Sequence, residues 1–101
     1  MEKLKQTFAI RDIKEAFADP ARLNRSFVSK QGADDLGMDD ADVVAVIQAL
    51  TLEDFVKSMT SIADHKVWQD VYKPNAMGRQ LYVKFTLDAQ GALFLISFKE
   101  A

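Results

Sequence analysis

The sequence predicts an α+β fold, with N-terminal helices packed on one side of an antiparallel β-sheet that ends in a C-terminal hairpin. Two observations support this prediction: apolar residues recur at helical spacing before residue 50, and they alternate with polar residues after residue 80. The chain has 101 residues, of which 49% are hydrophobic and none is cysteine. That length suits a single domain, residues 1–101, with one hydrophobic core and no disulfide bond.

Three helical segments are predicted in the first half of the chain. Ile10, Ile13 and Phe17 recur at i, i+3 and i+7, which is typical of an amphipathic helix. A short helical turn is predicted over residues 32–37. A third helix is predicted over residues 39–50, and the carboxylates in its first turn complement the positive end of the helix dipole.

Strands are predicted in the second half. Residues 55–62 fit either a helix or a strand, whereas residues 67–72 are rich in β-forming side chains. Residues 81–87 and 94–98 alternate apolar and polar side chains around a turn at residues 88–91. This alternation predicts the C-terminal β-hairpin.

The register of that hairpin is predicted from its apolar residues. A four-residue loop between Leu87 and Ala92 gathers the large apolar side chains of both strands on one face, whereas a slip of one residue would turn one strand the wrong way. The predicted pairs are Phe85 with Phe94, Val83 with Ile96, and Leu81 with Phe98.

The opposite face of the predicted hairpin is polar. Tyr82 lies directly across from Ser97 in this register, Lys99 lies on the diagonal, and Lys84 is next along the strand. Diagonal neighbours in an antiparallel pair are roughly 7 to 8 Å apart, within reach of long side chains. We therefore expect these polar side chains to meet on one open surface.

Charge is segregated along the chain. The formal net charge of -2 and the pI of about 5.3 argue on average against a nucleic-acid-binding protein. However, residues 1–33 hold seven bases and four acids, residues 34–54 hold seven acids and no base, and residues 55–99 hold six bases and three acids. Folding could place these charges as one anionic and one cationic face, or the acids could simply form a solvated helix surface.

Several kinds of site are excluded or disfavoured. Without cysteine there is no thiolate zinc site, and His65 is the sole imidazole, so no metal is expected. The sequence contains no Gly-rich phosphate loop, no GxSxG elbow and no HExxH pair, so no cofactor is expected either. No apolar stretch approaches the length of a membrane span, and we expect a cytoplasmic protein.

The half predicted to form the sheet is rich in side chains suited to metal-free RNA cleavage. Attack by the 2′-hydroxyl needs a group that takes the 2′ proton, a group that protonates the 5′-oxygen, and cations for the charge that gathers on the phosphorane. Lysine and tyrosine can supply these functions if neighbouring cations or burial lower their pKa values. The same composition also fits an ordinary solvated sheet face. The candidate residues are Lys57, His65, Lys66, Gln69, Tyr82, Lys84 and Lys99.

Several short segments resemble one family of proteins. They are Asp54-Phe55-Val56-Lys57-Ser58-Met59-Thr60, Asp64-His65, Trp68-Gln69-Asp70-Val71-Tyr72-Lys73-Pro74, Gln80-Leu81-Tyr82-Val83-Lys84 and Ser97-Phe98-Lys99-Glu100. Together they resemble the motility quorum-sensing regulator toxins, the MqsR family, over roughly residues 10–100. The resemblance implies a fold like that of the RelE toxins and activity as a ribosome-independent mRNA interferase that prefers short GC-containing sites such as GCU.

The resemblance also implies functional residues at Lys57, Gln69, Tyr82 and Lys99. Our hypothesis is that Lys57 and Lys99 stabilise the phosphorane, Tyr82 acts as acid or base, and Gln69 positions a phosphate or a base edge. His65 is a further acid or base candidate, or a structural residue of its turn.

Additional RNA contacts and a protein partner are expected. The basic residues Lys66, Lys73, Arg79 and Lys84 are expected to bind the RNA backbone. The resemblance implies neutralisation by an MqsA-like antitoxin with a zinc-binding N-terminal domain and a DNA-binding C-terminal domain. We expect the free protein to be a monomer. An alternative is a binding module without catalytic activity that acts through its complex with such a regulator.

Overall fold

Three helices lie on one face of a six-stranded antiparallel sheet in the computed structural model, which covers residues 1–101. The α+β prediction is confirmed. None of the helices has the length and apolar content needed to cross a bilayer. The elements are β1 (Glu2–Lys3), α1 (Ile10–Ala16), α2 (Phe27–Asp35), α3 (Asp40–Gln48), a 3-10 turn (Leu52–Asp54), β2 (Phe55–Thr60), β3 (Trp68–Tyr72), β4 (Asn75–Ala76), β5 (Arg79–Leu87) and β6 (Leu93–Glu100).

Helix α3 begins where the acidic cluster predicted it. The Asp42 N–H donates to Oδ1 of Asp39 at 2.8 Å, and the Asp39 N–H donates to Oδ2 of Asp42 at 3.0 Å. This reciprocal pair is a capping box, which satisfies two backbone donors at the helix start. Part of the acidic segment therefore has a structural role.

Helix α2 corrects the prediction of a single helical turn over residues 32–37. The helix has nine residues and begins after Ser26, whose side-chain oxygen accepts the N–H of Ser29 at 3.0 Å. Gly32 in its middle weakened the sequence signal, because glycine disfavours a helix interior. The structure explains this glycine: a Cβ at Gly32 would overlap the carbonyl oxygen of Phe98 in β6.

The strands β1, β2, β3 and β5 are neighbours in that order, and β4 pairs with the start of β5. Strand β6 pairs with the edge of β5 that faces away from β3 and β4. The ambiguous segment after residue 54 is a strand, β2, which pairs with β3. Apolar side chains of the sheet pack against α1 and α3, with Phe17 and Phe85 5.5 Å apart between ring centroids. The fully buried side chains of this core include Ile13, Phe17, Val43, Ile47, Tyr72, Leu81, Val83, Phe85, Leu95 and Phe98.

The predicted hairpin register is wrong. Leu87 pairs with Leu93, which leaves a five-residue loop, and an irregularity at Ile96 shifts the pairing again, so Lys84 lies opposite Ser97. The segment before α2 explains the irregularity, because it binds the outer edge of β6: the Leu95 N–H donates to the Asn24 carbonyl oxygen at 3.0 Å.

The buried positions of β6 change accordingly. Leu95 and Phe98 are fully buried, whereas Phe94 and Ile96 are only partly buried. A bulge lets two residues of one strand face one residue of its partner, so strict alternation fails there. The pairs Phe85 with Phe94, Val83 with Ile96 and Leu81 with Phe98 are replaced by Phe85 with Leu95, Val83 with Phe98 and Leu81 with Glu100.

A buried carboxylate holds the N-terminal segment against the sheet. Asp70 of β3 is fully buried, and its oxygens accept the N–H groups of Thr7 and Phe8 at 2.9 to 3.1 Å. The start of the chain then pairs with β2 as β1, with Glu2 opposite Met59 and Lys3 opposite Ser58. Glu2 is thereby placed on the sheet face away from the helices.

Candidate active site

The face of the sheet opposite the helices carries four of the predicted basic and aromatic side chains. The register aligns Lys57, Val71, Lys84 and Ser97 in one row across β2, β3, β5 and β6. The next row contains Tyr82 paired with Lys99. Because side chains alternate between the two faces of a strand, these rows share one surface. We call Lys57, Gln69, Tyr82, Lys84 and Lys99, with their surroundings, the open face.

Tyr82 is flanked by two ammonium groups. The Lys99 Nζ lies 5.4 Å from the centroid of the Tyr82 ring, and the Lys84 Nζ lies 5.8 Å from it. Both distances are within the range of cation–π attraction. Tyr82 lies directly opposite Lys99, closer than the predicted diagonal, because of the corrected register. The structure therefore gathers a phenol and two cations at one point of the open face.

Lys84 differs from the other lysines of the open face. Burial, and to a lesser degree the charge of Lys99, lowers the pKa of Lys84 below its ordinary value. Lys84 is one of the side chains that the sequence indicates for RNA cleavage, and it is also expected to bind the RNA backbone. A lysine with a lowered pKa transfers protons more readily near neutral pH, so this shift favours Lys84 as an acid or base.

Lys57 has an acidic partner that the sequence pattern did not reveal. Its Nζ lies 2.7 Å from Oε2 of Glu2, and this hydrogen bond and the Glu2 charge raise the pKa of Lys57. Lys57 in turn lowers the pKa of Glu2. A lysine with a raised pKa stays charged at neutral pH, which suits a cation that neutralises phosphate rather than a base. Glu2 is adjacent to Lys57 only because β1 pairs with β2.

Gln69 lies on the open face but apart from Tyr82. Gln69 pairs with Met59, two residues along the strand from the row that contains Lys57 and Lys84. Tyr82 lies two residues from the same row in the opposite direction. Gln69 and Tyr82 are therefore separated by four residues, or about 13 Å, along the strand direction. The side chain of Gln69 is half-buried and makes no hydrogen bond within the protein. Its position suits contact with a neighbouring nucleotide rather than with the phosphate at Tyr82.

The other predicted residues lie at the ends of the sheet. His65 and Lys66 are exposed in the turn between β2 and β3, where the Lys66 N–H donates to Oδ1 of Asp64 at 2.9 Å. Lys73 follows β3, and Arg79 begins β5 beyond Tyr82; both are exposed. The structure therefore does not bring His65 to the Tyr82 and Lys99 pair. Lys66, Lys73 and Arg79 are exposed at the two ends of the sheet.

Two comparisons with known proteins bear on the family of the chain. The sequence model of a family described as "Motility quorum-sensing regulator, toxin of MqsA" matches residues 5–100. The chain is also similar to the mRNA interferase toxin MqsR of Escherichia coli (strain K12), with 44% identity over 68 residues. That similarity covers 67% of each of the two chains.

Proposed function

The chain belongs to the family of motility quorum-sensing regulator toxins, and on that premise we propose that it cleaves mRNA on the open face of its sheet. It is a toxin with endoribonuclease activity, an mRNA interferase. The observation that best supports the open face as the site is the convergence of Lys84 and Lys99 on the ring of Tyr82. RNA cleavage needs proton transfer and cations at one phosphate, and this point of the surface offers both.

The proposed reaction is transphosphorylation. The 2′-oxygen attacks the adjacent phosphorus, the bond to the 5′-oxygen breaks, and the products are a 2′,3′-cyclic phosphate and a 5′-hydroxyl. One proton leaves the 2′-hydroxyl and one reaches the 5′-oxygen, so the step needs no co-reactant. Tyr82 and Lys84 are the proton-transfer groups, and Lys57 and Lys99 stabilise the charge on the phosphorane.

The pKa directions support this division of roles. Lys57 is held charged by Glu2, as a stabilising cation must be. Lys84 has a lowered pKa because it is partly buried beside Lys99, as a proton-transfer group requires. Gln69 contacts the base or phosphate of a neighbouring nucleotide. Lys66, Lys73 and Arg79 bind the RNA backbone beyond the reacting phosphate.

Further properties complete the proposal. The family description names these proteins as toxins of MqsA, so an antitoxin partner belongs to the family. For this chain we propose an MqsA-like antitoxin with a zinc-binding N-terminal domain and a DNA-binding C-terminal domain, a monomeric free toxin, a RelE-like fold and a cytoplasmic location. We also propose cleavage without the ribosome at GC-containing sites such as GCU.

Inducible expression in a bacterial host tests the proposal in cells. The wild-type chain should arrest growth, and 5′-end mapping of cellular transcripts should show new ends at a short shared motif. Tyr82→Phe and Lys57→Ala should both restore growth, while Lys30→Ala should remain toxic, because Lys30 lies on α2 in an exposed ion pair with Asp34. Equal toxicity of the folded Tyr82→Phe protein would remove Tyr82 from the mechanism. Arrest of growth without new transcript ends would favour the binding-module alternative.

A further inference from the structure

A cavity beside the open face has no role in the proposed chemistry. It has a volume of about 290 Å³, lies between α2 and β6, and is lined on one side by Lys99. Its other walls include Phe27, Gln31 and Asp35. That volume is just below the range for small-ligand pockets, which starts at about 300 Å³, so it suits a compact planar group.

The cavity has an aromatic wall that packing does not explain. The side chain of Phe27 is 78% exposed in the first turn of α2, and the neighbouring Val28 is 71% exposed. A large apolar side chain in water gains nothing for stability, so its exposure indicates a binding surface when it lines a cavity. An unpaired nucleobase is a natural partner for it, because every base has a π face that stacks on an aromatic ring.

The polar wall provides hydrogen-bond acceptors for the edge of a base. The Gln31 Nε2 donates to Oδ1 of Asp35 at 3.3 Å, which orients the carboxylate, and Oδ2 of Asp35 accepts no hydrogen bond within the protein. A carboxylate is an acceptor with two oxygens. The Watson–Crick edge of guanine is the base edge that presents two adjacent donors, N1–H and the 2-amino group, so it matches a carboxylate best.

The cavity side of helix α2, which carries Gln31 and Asp35, differs from its core side and from its solvent side. Ser29 and Ala33 face the core, and Lys30 and Asp34 pair with each other at 3.2 Å on the solvent side. The absence of a side chain at Gly32 brings the helix against the Phe98 carbonyl and so sets the cavity directly beside Lys99. A base in the cavity would therefore belong to a nucleotide next to the phosphate held at Lys99.

We propose that this cavity is a recognition subsite for one unpaired guanine next to the scissile phosphate, with Phe27 stacking on the base and Asp35 accepting from its Watson–Crick edge. The proposal rests on the proposed RNA cleavage at the open face. It assigns base recognition to α2, whereas the open face of the sheet carries the chemistry. A carboxylate weakens attraction for a polyanion, so its benefit would be discrimination between bases rather than affinity.

Binding of short RNA that cannot be cleaved tests the subsite independently of catalysis. Oligonucleotides with 2′-deoxy substitution at the scissile position would carry guanine, inosine or cytosine at each neighbouring position, and fluorescence anisotropy would give Kd. Inosine lacks the 2-amino group. For the wild-type protein, replacing guanine with inosine at one position should weaken binding by roughly tenfold, since inosine keeps N1–H but loses the second hydrogen bond to the charged carboxylate.

The variants Asp35→Asn and Phe27→Ala distinguish the two walls. Asp35→Asn should lose most of the preference for guanine over inosine while binding inosine RNA at least as well as the wild type does. Phe27→Ala should weaken binding of all bases at that position. Asp34→Asn is the control for Asp35→Asn: it removes the same charge from the solvent side of α2 and should keep the preference for guanine. Leu52→Ala is the control for Phe27→Ala, because it removes another exposed apolar side chain, which lies outside the cavity.

The outcomes separate the two proposals. If the wild type shows no guanine preference, or if Asp35→Asn retains it in full, the subsite is wrong even when RNA is cleaved. If the preference depends on Asp35 but matching cleavable RNA stays intact, the subsite stands and the proposed cleavage is wrong. Circular dichroism and thermal unfolding of each variant should establish that it is folded.

Discussion

The carboxylate of Glu2 lies 2.7 Å from the ammonium group of Lys57, across the two neighbouring strands at one edge of the sheet. Glu2 therefore already binds Lys57, the cation that the proposed mechanism needs for phosphate. Its two effects are opposed: Glu2 raises the pKa of Lys57 and keeps it charged, and it also competes with an incoming phosphate. RNA must therefore displace Glu2 or share Lys57 with it.

Replacing Glu2 with glutamine should strengthen RNA binding. Solvent screens an exposed ion pair, so the effect should be modest, and we expect Kd for an RNA that cannot be cleaved to fall by about two- to fivefold. Glu15→Gln is the matched control, because Glu15 is an exposed acid on α1 and its replacement changes net charge equally. An equal fall in Kd for both variants would mean that only net charge matters.

Replacing Tyr72 with phenylalanine should leave the protein as stable as the wild type at neutral pH, or more stable. The Tyr72 hydroxyl is buried and has no hydrogen-bond partner, so its removal relieves a desolvation cost of about 1 kcal/mol. Urea unfolding at pH 7 measures the free energy of unfolding. A loss of more than about 1 kcal/mol would indicate a partner for this hydroxyl.

The same variant should alter the alkaline stability profile. Burial raises the pKa of Tyr72 from 10.0 to about 12, so the unfolded chain ionises first and loses protons that the folded chain keeps. The stability from neutral Tyr72 is therefore complete below pH 10 and is lost as the pH rises towards 12. Tyr72→Phe should lack this part of the decline, whereas Tyr82→Phe should keep it because it retains Tyr72. Urea unfolding at pH 9 and 11 compares them, and identical declines in all three proteins would contradict the prediction.

Gly32→Ala should lower both stability and cleavage. The new methyl group would overlap the Phe98 carbonyl oxygen, which forces α2 and β6 apart next to Lys99. Overpacking of this kind costs about 1 to 3 kcal/mol. Gly37→Ala is the control: its φ of 70° strains a side chain, but nothing lies within 4 Å of the new Cβ. The rate of RNA cleavage, measured under conditions in which both variants are folded, should fall only for Gly32→Ala. Full activity of that variant would show that β6 accommodates the methyl group without displacing Lys99.

Asp70→Asn should loosen the N-terminal segment. The buried carboxylate accepts three hydrogen bonds from two backbone N–H groups, and an amide offers only one acceptor oxygen. We expect a loss of about 2 to 4 kcal/mol of stability and faster proteolysis before residue 10. Asp64→Asn, in an exposed turn, should resist proteolysis of this segment as well as the wild type does. Unchanged protection of the segment in Asp70→Asn would show that pairing of β1 with β2 is sufficient to hold it.

The sequence predicts most of the fold because apolar periodicity reports burial. Helices α1 and α3 follow their apolar spacing, and the strands of the hairpin follow their alternation. The register failed because alternation assumes an unbroken ladder, while the bulge at Ile96 depends on a segment more than 60 residues away that binds Leu95. Helix α2 was underestimated because Gly32 is required by packing against Phe98, which no local pattern records.

The candidate site was predictable in its residue types but not in its pairings. Parity along β5 placed Tyr82 and Lys84 on one face, and the structure keeps them there. The contact between Glu2 and Lys57 was not predictable, since it depends on a two-residue strand whose position is fixed through Asp70. The lowered pKa of Lys84 likewise arises from burial and from Lys99 on the neighbouring strand.

Metal-free cleavage of RNA on the open face is tested most directly by incubating the purified protein and its Tyr82→Phe variant with a defined RNA in the presence of EDTA. The RNA should contain every trinucleotide, and the chemistry of the new ends should be determined. We expect the wild type to cut at a short motif and leave cyclic phosphate and 5′-hydroxyl ends, and Tyr82→Phe to cut about 10² to 10⁴ times more slowly. Equal rates for the two folded proteins, or cleavage that EDTA abolishes, would contradict the proposed mechanism.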